Sequence, residues 1–202
     1  MKKSLKSVLL SWPVLVWLVL GSHLSSCGYN RIQGLDEDSK AAWSEVLNQY
    51  QRRSDLVPNL VSTVKGYAKH EAQTLEAVVN ARAKATSMTI DAKSLSNREA
   101  FQKFQAAQGE LSQALGRLMA ISENYPQLKA NENFRDLQSQ LEGTENRIAV
   151  ARRRYIESVA EYNKLVRFFP TNLTARFLLS AEMKETFSIE EAAKKNPEVK
   201  FE

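Results

Sequence analysis

Cysteine, histidine, glycine and proline are all scarce in this chain, and each scarcity removes a class of protein. One cysteine in 202 residues rules out a disulfide framework within the chain and a structural zinc site built on thiolates. Of the two histidines, His23 lies in the apolar N-terminal region, which leaves His70 for any chemistry. A Ser-His-Asp triad would need His70 as its base. It stands between Lys69 and Glu71, beside an apolar stripe rather than in it, where a solvated helix-edge imidazole is the plainer assignment. Tyr67 lies three residues before it, so the Glu-x-x-His pairs of di-iron carboxylate proteins are missing. Seven scattered glycines form no phosphate-binding loop. With only five prolines, they also argue against an all-β chain rich in turns. The spacing of residues points to no cofactor, no metal and no catalytic group.

Charge of one sign is also in short supply. The formal balance is +5, from 28 basic and 23 acidic residues. Lys2, Lys3 and Lys6 precede the first apolar run, and without them the balance is 25 against 23, or +2. Nucleic acid is therefore not the expected partner. The densest basic cluster, Arg152-Arg153-Arg154 with Arg147 before it, could hold phosphates. On a helix its members point about 100° apart, and Glu142, Glu145 and Glu157 lie within reach. Acidic residues are plentiful, but no pair is singled out for a two-carboxylate mechanism.

The N-terminus supplies an address. The three lysines form a basic region before an apolar run from Val8 to Leu20, broken only by Ser11 and Pro13. A spanning helix needs about 20 apolar residues, so this run suits the core of a secretory signal. Leu24-Ser25-Ser26-Cys27 resembles a bacterial lipobox, in which the cysteine becomes the lipid-bearing first residue of the mature chain. The alternative is an uncleaved signal anchor with an incidental Cys27. Both place residues 1–26 in membrane targeting and the remainder outside the cytoplasm, at the periplasmic side or the cell surface.

Beyond a tether over 27–35, helical periodicity dominates. Leu35 to Lys84 reads as one long helix with Asp36, Glu37 and Asp38 in its first turn, where negative charge suits the helix dipole. Trp43, Leu47, Tyr50, Val57, Val61, Val64, Ala68, Leu75 and Val79 keep one phase across Pro58, which predicts a kink there rather than a reversal. Residues 85–95 read as a loop, and Ser96 with Glu99 as a capping box. A second stripe runs through Phe101, Phe104, Leu111, Leu115, Leu118 and Tyr125 to Pro126. Asn131 or Asn133 can cap a third helix, with the stripe Phe134, Leu137, Leu141, Ile148, Ala151, Tyr155, Val159, Tyr162, Val166 and Phe169, ending at Pro170. Leu173 to Leu179 forms a short amphipathic piece whose Leu173, Phe177 and Leu178 would lie across one end. Residues 183–202 read as a loosely held polar tail, with a second capping box at Ser188–Glu191. The expected fold is all-α: an antiparallel up-and-down bundle of three long helices plus a short C-terminal one.

Polar residues interrupt two of the stripes. Glu145 lies four residues after Leu141 and Arg152 four after Ile148, while Arg53 and Asp55 sit between Tyr50 and Val57. In an up-down-up arrangement the first and third helices run parallel. On that premise Arg53 pairs with Glu145 and Asp55 with Arg152, fixing the register, and Gly143 admits a close neighbour.

Several blocks carry a family likeness. Arg52 to Gly66 (RRSDLVPNLVSTVKG) with Tyr67 to Glu71, Glu123 to Phe134 (ENYPQLKANENF), and Leu141 to Tyr155 (LEGTENRIAVARRRY) continuing through Glu161-Tyr162-Asn163 to Phe169-Pro170 together resemble the LemA family. The likeness covers roughly residues 28–182. It implies a membrane-attached helical bundle over 36–182 that faces away from the cytoplasm, and brings no accepted catalytic residues. Many members carry a signal anchor, whereas this chain has the lipobox. The chain is thus expected to be a membrane-anchored, lipidated, non-catalytic scaffold or adaptor for envelope proteins. The enzymatic alternative is a carboxylate-based hydrolase of envelope polymers, which would show itself as a deep pocket converging two or more acids of raised pKa.

Overall fold

The computed structural model describes residues 4–187, with side chains over 28–187 except that of Lys93. The side chain of Cys27, the expected capping box at Ser188–Glu191 and most of the expected polar tail lie outside the described residues. The protein is all-α. The helices are α1 (Ser4–Tyr67), α2 (Ala72–Ser87), α3 (Arg98–Ser122), α4 (Pro126–Ala130), α5 (Glu132–Arg167) and α6 (Thr171–Phe177), with a 3₁₀ turn at Ala92–Ser94. No strand occurs among the described residues. Two compact units emerge, one from residues 4–42 and 157–184, the other from 43–156 and 185–187.

In the larger unit the first expected helix divides. α1 ends at Tyr67, and Ala68 to Glu71 turn the chain, closed by Glu71 N–H donating to the Ala68 carbonyl at 3.1 Å. His70 is exposed on this turn rather than on a helix edge. Arg82 Nε lies 2.9 Å from the Ser54 carbonyl oxygen, although one straight helix would hold those residues about 42 Å apart at 1.5 Å per residue. α2 therefore folds back along α1. The seven-residue step from Ala68 to Leu75 preserved the periodicity across the turn by coincidence. α2 buries Leu75, Val78, Ala81 and Ala85, so Leu75 of the expected stripe is buried while Val79 is half exposed.

Pro58 does not end α1, and no reversal occurs there: the helix runs on to Tyr67. The proline lacks the N–H that would bond the carbonyl four residues earlier, which is that of Ser54. That oxygen is the one Arg82 takes up, so the helix continues while its orphaned acceptor is satisfied from α2.

Directions follow from paired contacts. Tyr125 donates to Glu71 at 2.9 Å and Gln108 to the Ala85 carbonyl at 3.2 Å, so α2 and α3 are antiparallel. Asn131 donates to the Tyr67 hydroxyl at 2.9 Å, while Arg53 meets Glu145 at 3.0 Å, so α1 and α5 are antiparallel too. The expected parallel first and third helices are thereby corrected: the unforeseen turn at 68–71 adds one reversal. Caps are local. Asn97, one residue beyond the expected Ser96, accepts from Ala100 N–H, and Asn131 accepts from Phe134 N–H. Pro126 opens α4 at its first turn, where a missing N–H is tolerated.

The core of this unit joins Val57, Leu60 and Val64 to Leu75, Val78, Leu111, Leu115, Leu118, Leu128 and Phe134. Beside it Trp43 touches Phe101, Phe104, Tyr155 and Phe187, with ring centroids 5.0–6.0 Å apart, and donates to the Ile90 carbonyl at 3.1 Å. The expected loose tail is corrected here. Phe187 is 9% exposed, Glu185 N–H donates to the Leu95 carbonyl at 2.8 Å, and Tyr155 donates to the Glu185 carbonyl at 2.9 Å. No helical period marks this extended segment, so its burial left no periodic trace in the sequence.

The smaller unit gathers Ile32, Tyr162 and Ala175 with Leu35, Leu165, Val166 and Leu179. Residues 28–35 are helical, not a tether, because Ile32 and Gly28 are buried there. A β-carbon on Gly28 would stand 3.3 Å from Thr171 Cγ2, tighter than most real contacts, so glycine admits α6. Phe169 lies past the end of α5 and is exposed, as are Leu173, Phe177 and Leu178; none packs as expected.

If Phe187 is a core residue, Phe187→Ala should cost about 3 kcal/mol in denaturant melts, as large-to-small core changes do. A substitution in a solvated tail would stay within about 0.5 kcal/mol.

Candidate functional site

The most concentrated polar chemistry of the larger unit surrounds Arg53, placed inward by α1 three residues after Tyr50 and four before Val57. Its side chain is 1% exposed. A guanidinium has five N–H donors. Nη1 donates to Ser112 Oγ at 2.7 Å and Glu145 Oε1 at 3.0 Å, and Nη2 to the Gln108 carbonyl at 3.3 Å and Oε1 at 2.6 Å. Nε has no partner among the described residues. The guanidinium carbon sits 5.0 Å from the Tyr50 ring centre. Burial pushes the Tyr50 hydroxyl above its ordinary pKa, against the opposing pull of Arg152 and Arg53. Since Gln108 also donates to Ala85, one cation ties α1, α2, α3 and α5.

The structure thus brings Arg53 and Glu145 together and does not bring Asp55 to Arg152. Antiparallel helices explain the second result: moving two residues on from Arg53 moves two residues back from Glu145, to Gly143 and away from Arg152. Asp55 is exposed and accepts from Gln51 at 2.7 Å. Arg152 lies 4.3 Å from the Phe187 ring centre, and Arg153 and Arg154 are exposed. A β-carbon at Gly143 would meet only Arg147 of its own helix, at 3.6 Å, so Gly143 admits no close neighbour.

Beside Arg53 a half-open groove of about 190 Å³ is lined by Leu47, Tyr50, Ser54, Met88, Phe104 and Gln108, among others. A shallower polar groove of about 390 Å³ between α1 and α5 includes Asn59, Ser62, Asn133 and Asp136. Neither brings two acids together. Among the described residues no three potential metal ligands cluster, and no helix is long and apolar enough to cross a membrane.

The smaller unit has its own buried cation. Lys184 donates to Asp36 at 2.6 Å and to Ser39 Oγ, 4.6 Å from the Tyr162 ring centre. Asn163 holds its backbone from both sides, accepting from Lys184 N–H and donating to its carbonyl, each at 2.9 Å. Burial lowers the Lys184 pKa, and its pairing with Asp36 offsets this only in part. Burial alone would raise the Asp36 carboxyl, but Lys184 and Lys40 outweigh it and hold the group below its ordinary value.

Sequence reasoning missed Gln108, Ser112, Lys184, Asp36, Ser39 and Asn163. Gln108 had a signal, a polar residue in phase with Phe104 and Leu111. Lys184 had none, since its segment has no period.

Comparison with known proteins gives consistent results. The profile of the LemA family matches residues 42–201. The magnetosome protein MamQ of Magnetospirillum gryphiswaldense is 28% identical over 163 residues, covering 73% of this chain and 60% of that protein. Magnetosome proteins MamQ 2 and MamQ 1 of Paramagnetospirillum magneticum are each 26% identical over the same shares. The chain spans about 60% of the length of these relatives.

Two measurements probe the polar centres. Arg53→Met should cost about 3 kcal/mol, since it strands acceptors on two other helices. Glu145→Gln should cost about 1–2 kcal/mol, because Glu145 is 42% exposed and glutamine can still accept. The double variant should lose less than the sum; strictly additive melts would show that the pair contributes nothing. For Asp36, a folded pKa below the unfolded value of 3.8 means stability that is present above that value and lost as pH falls through the folded one. Melts below about pH 4 should therefore show an acid-induced loss that Asp36→Asn reduces.

Proposed function

Because the chain belongs to the LemA family, we propose that it serves as a membrane-anchored, non-catalytic helical adaptor for envelope proteins, held outside the cytoplasm by lipid on Cys27. The observation that carries this reading is how the buried charges are used. Arg53 and Lys184 are taken up by side chains and carbonyls of the chain itself, an arrangement suited to stiffness rather than turnover. An up-and-down bundle of four long segments, with alternating helix directions, is the form of this adaptor. Among the described residues the acids with displaced pKa values, Asp36, Glu99 and Glu161, are all pushed down, opposite to the shift a general acid at neutral pH needs. The relatives are named as magnetosome proteins, which supports service at a cellular structure without naming a reaction.

The anchor rests on the basic N-terminus, the apolar run 8–20 and the lipobox ending at Cys27. One acyl chain holds a protein weakly to a membrane, whereas a multiply acylated cysteine holds it firmly. Cells fed labelled palmitate should mark the wild-type chain, and Cys27→Ala should reduce the label to background and retain the leader. Unchanged labelling would overturn the lipid assignment. Photo-crosslinkers at exposed positions of the anchored chain should give discrete adducts with envelope proteins; their absence at every position would overturn the adaptor role.

A further inference from the structure

The large apolar side chains left in solvent are not spread evenly. In the larger unit the exposed ones, such as Tyr67, Val79 and Val150, lie far apart in sequence. In the smaller unit Phe168, Phe169, Leu173, Phe177 and Leu178 are all exposed within eleven consecutive residues, Phe169 by 79% and Phe177 by 74%. Leu173 and Phe177 share one face of α6 at a spacing of four. A soluble surface rarely leaves so compact an apolar group uncovered unless something covers it in use.

What covers it is indicated by position and charge. α6 packs on Gly28 through Thr171 and Thr174, one residue after Cys27. In α1, eight residues separate Gly28 from the end of the apolar run at Leu20, a rise of about 12 Å. Whether the anchor is lipid on Cys27 or the uncleaved run, the bilayer surface begins within about 12 Å of the residue against which α6 rests. The charges agree. From Tyr162 to Ala181 the chain carries Lys164, Arg167 and Arg176 and no acid. Arg31 adds another exposed cation three residues past Gly28. Aromatic and aliphatic side chains flanked by arginine and lysine are the composition of a segment that lies in a membrane interface, and anionic headgroups attract such cations.

We infer that the α5–α6 corner, Phe168 to Leu178, docks into the surface of an anionic bilayer, so that the protein meets its membrane at two places. This rests on the anchored reading above and adds to it an orientation: the anchor fixes distance, and the corner fixes tilt. Phe169 and Phe177 enter at the level of the headgroups, while Arg167 and Arg176 pair with phosphates.

The full chain, reconstituted into phosphatidylcholine–phosphatidylglycerol vesicles, tests this by fluorescence. Phe169→Trp and Phe177→Trp place reporters at the corner, and Val79→Trp places one at an exposed site of the other unit; each signal is read after subtracting the wild-type spectrum. Lipids brominated near the headgroup should quench the first two reporters strongly and the third little. Arg167→Gln with Arg176→Gln should reduce quenching at the corner. Equal quenching at all three sites, on a chain that floats with the vesicles, would overturn the docking and leave the corner to a protein partner or a second copy. A wild-type chain that fails to float would refute the anchor itself, and the docking with it.

Discussion

A guanidinium deprived of water must recover its hydrogen bonds from the protein, and the geometry around Arg53 follows from that demand. Four of its five N–H groups are met, by a hydroxyl, a carboxylate, an amide oxygen and a backbone carbonyl. These acceptors sit on α3 and α5. A shift of either helix by one residue would withdraw at least one of them, and a buried donor left unmet costs about 1–3 kcal/mol. The apolar stripes could slide against one another with far smaller penalties, since dispersion contacts are individually weak. The alignment of α1, α3 and α5 seen here is the one that satisfies those four donors.

Helix positions were readable because amphipathic periodicity survives in sequence, and the stripes through Phe101 and Phe134 emerge where periodicity puts them. Chain direction was harder to read. Nothing in Ala68–Glu71 resembles a strong turn signal: Gly66 stands before it, and no proline follows. The stripe crossed the turn in phase because the seven-residue step from Ala68 to Leu75 suits a helix equally well. Pro58, the conspicuous breaker, drew attention to a place where the helix continues. The meeting of Arg53 with Glu145 depended on their both interrupting apolar faces, which holds whichever way the helices run. The pairing of Asp55 with Arg152 required parallel helices, and antiparallel ones separate them.

The segment ending at Phe187 shows a second limit of periodic reading. Its contacts are made by alternating and backbone groups: Lys184 through its ammonium and both main-chain atoms, Glu185 through its N–H and carbonyl, and Phe187 through its ring. Composition marks such a segment as polar, yet Lys184, the Glu185 backbone and Phe187 are each received by a partner, while Met183 stays exposed. Residues 184–187 belong to the folded protein in the same sense as the helices do.

Pro58 has one further implication. By withholding an N–H it turns the Ser54 carbonyl, otherwise an anonymous part of a helix, into a receptor that only a donor from outside can fill, and Arg82 fills it. Recognition between the two helices is therefore written at position 58, displayed at position 54 and read at position 82. The displaying atom belongs to the main chain, so drift in the side chain at 54 leaves the message intact. Restoring an N–H at 58 would give the Ser54 carbonyl an intrahelical donor to share with Arg82.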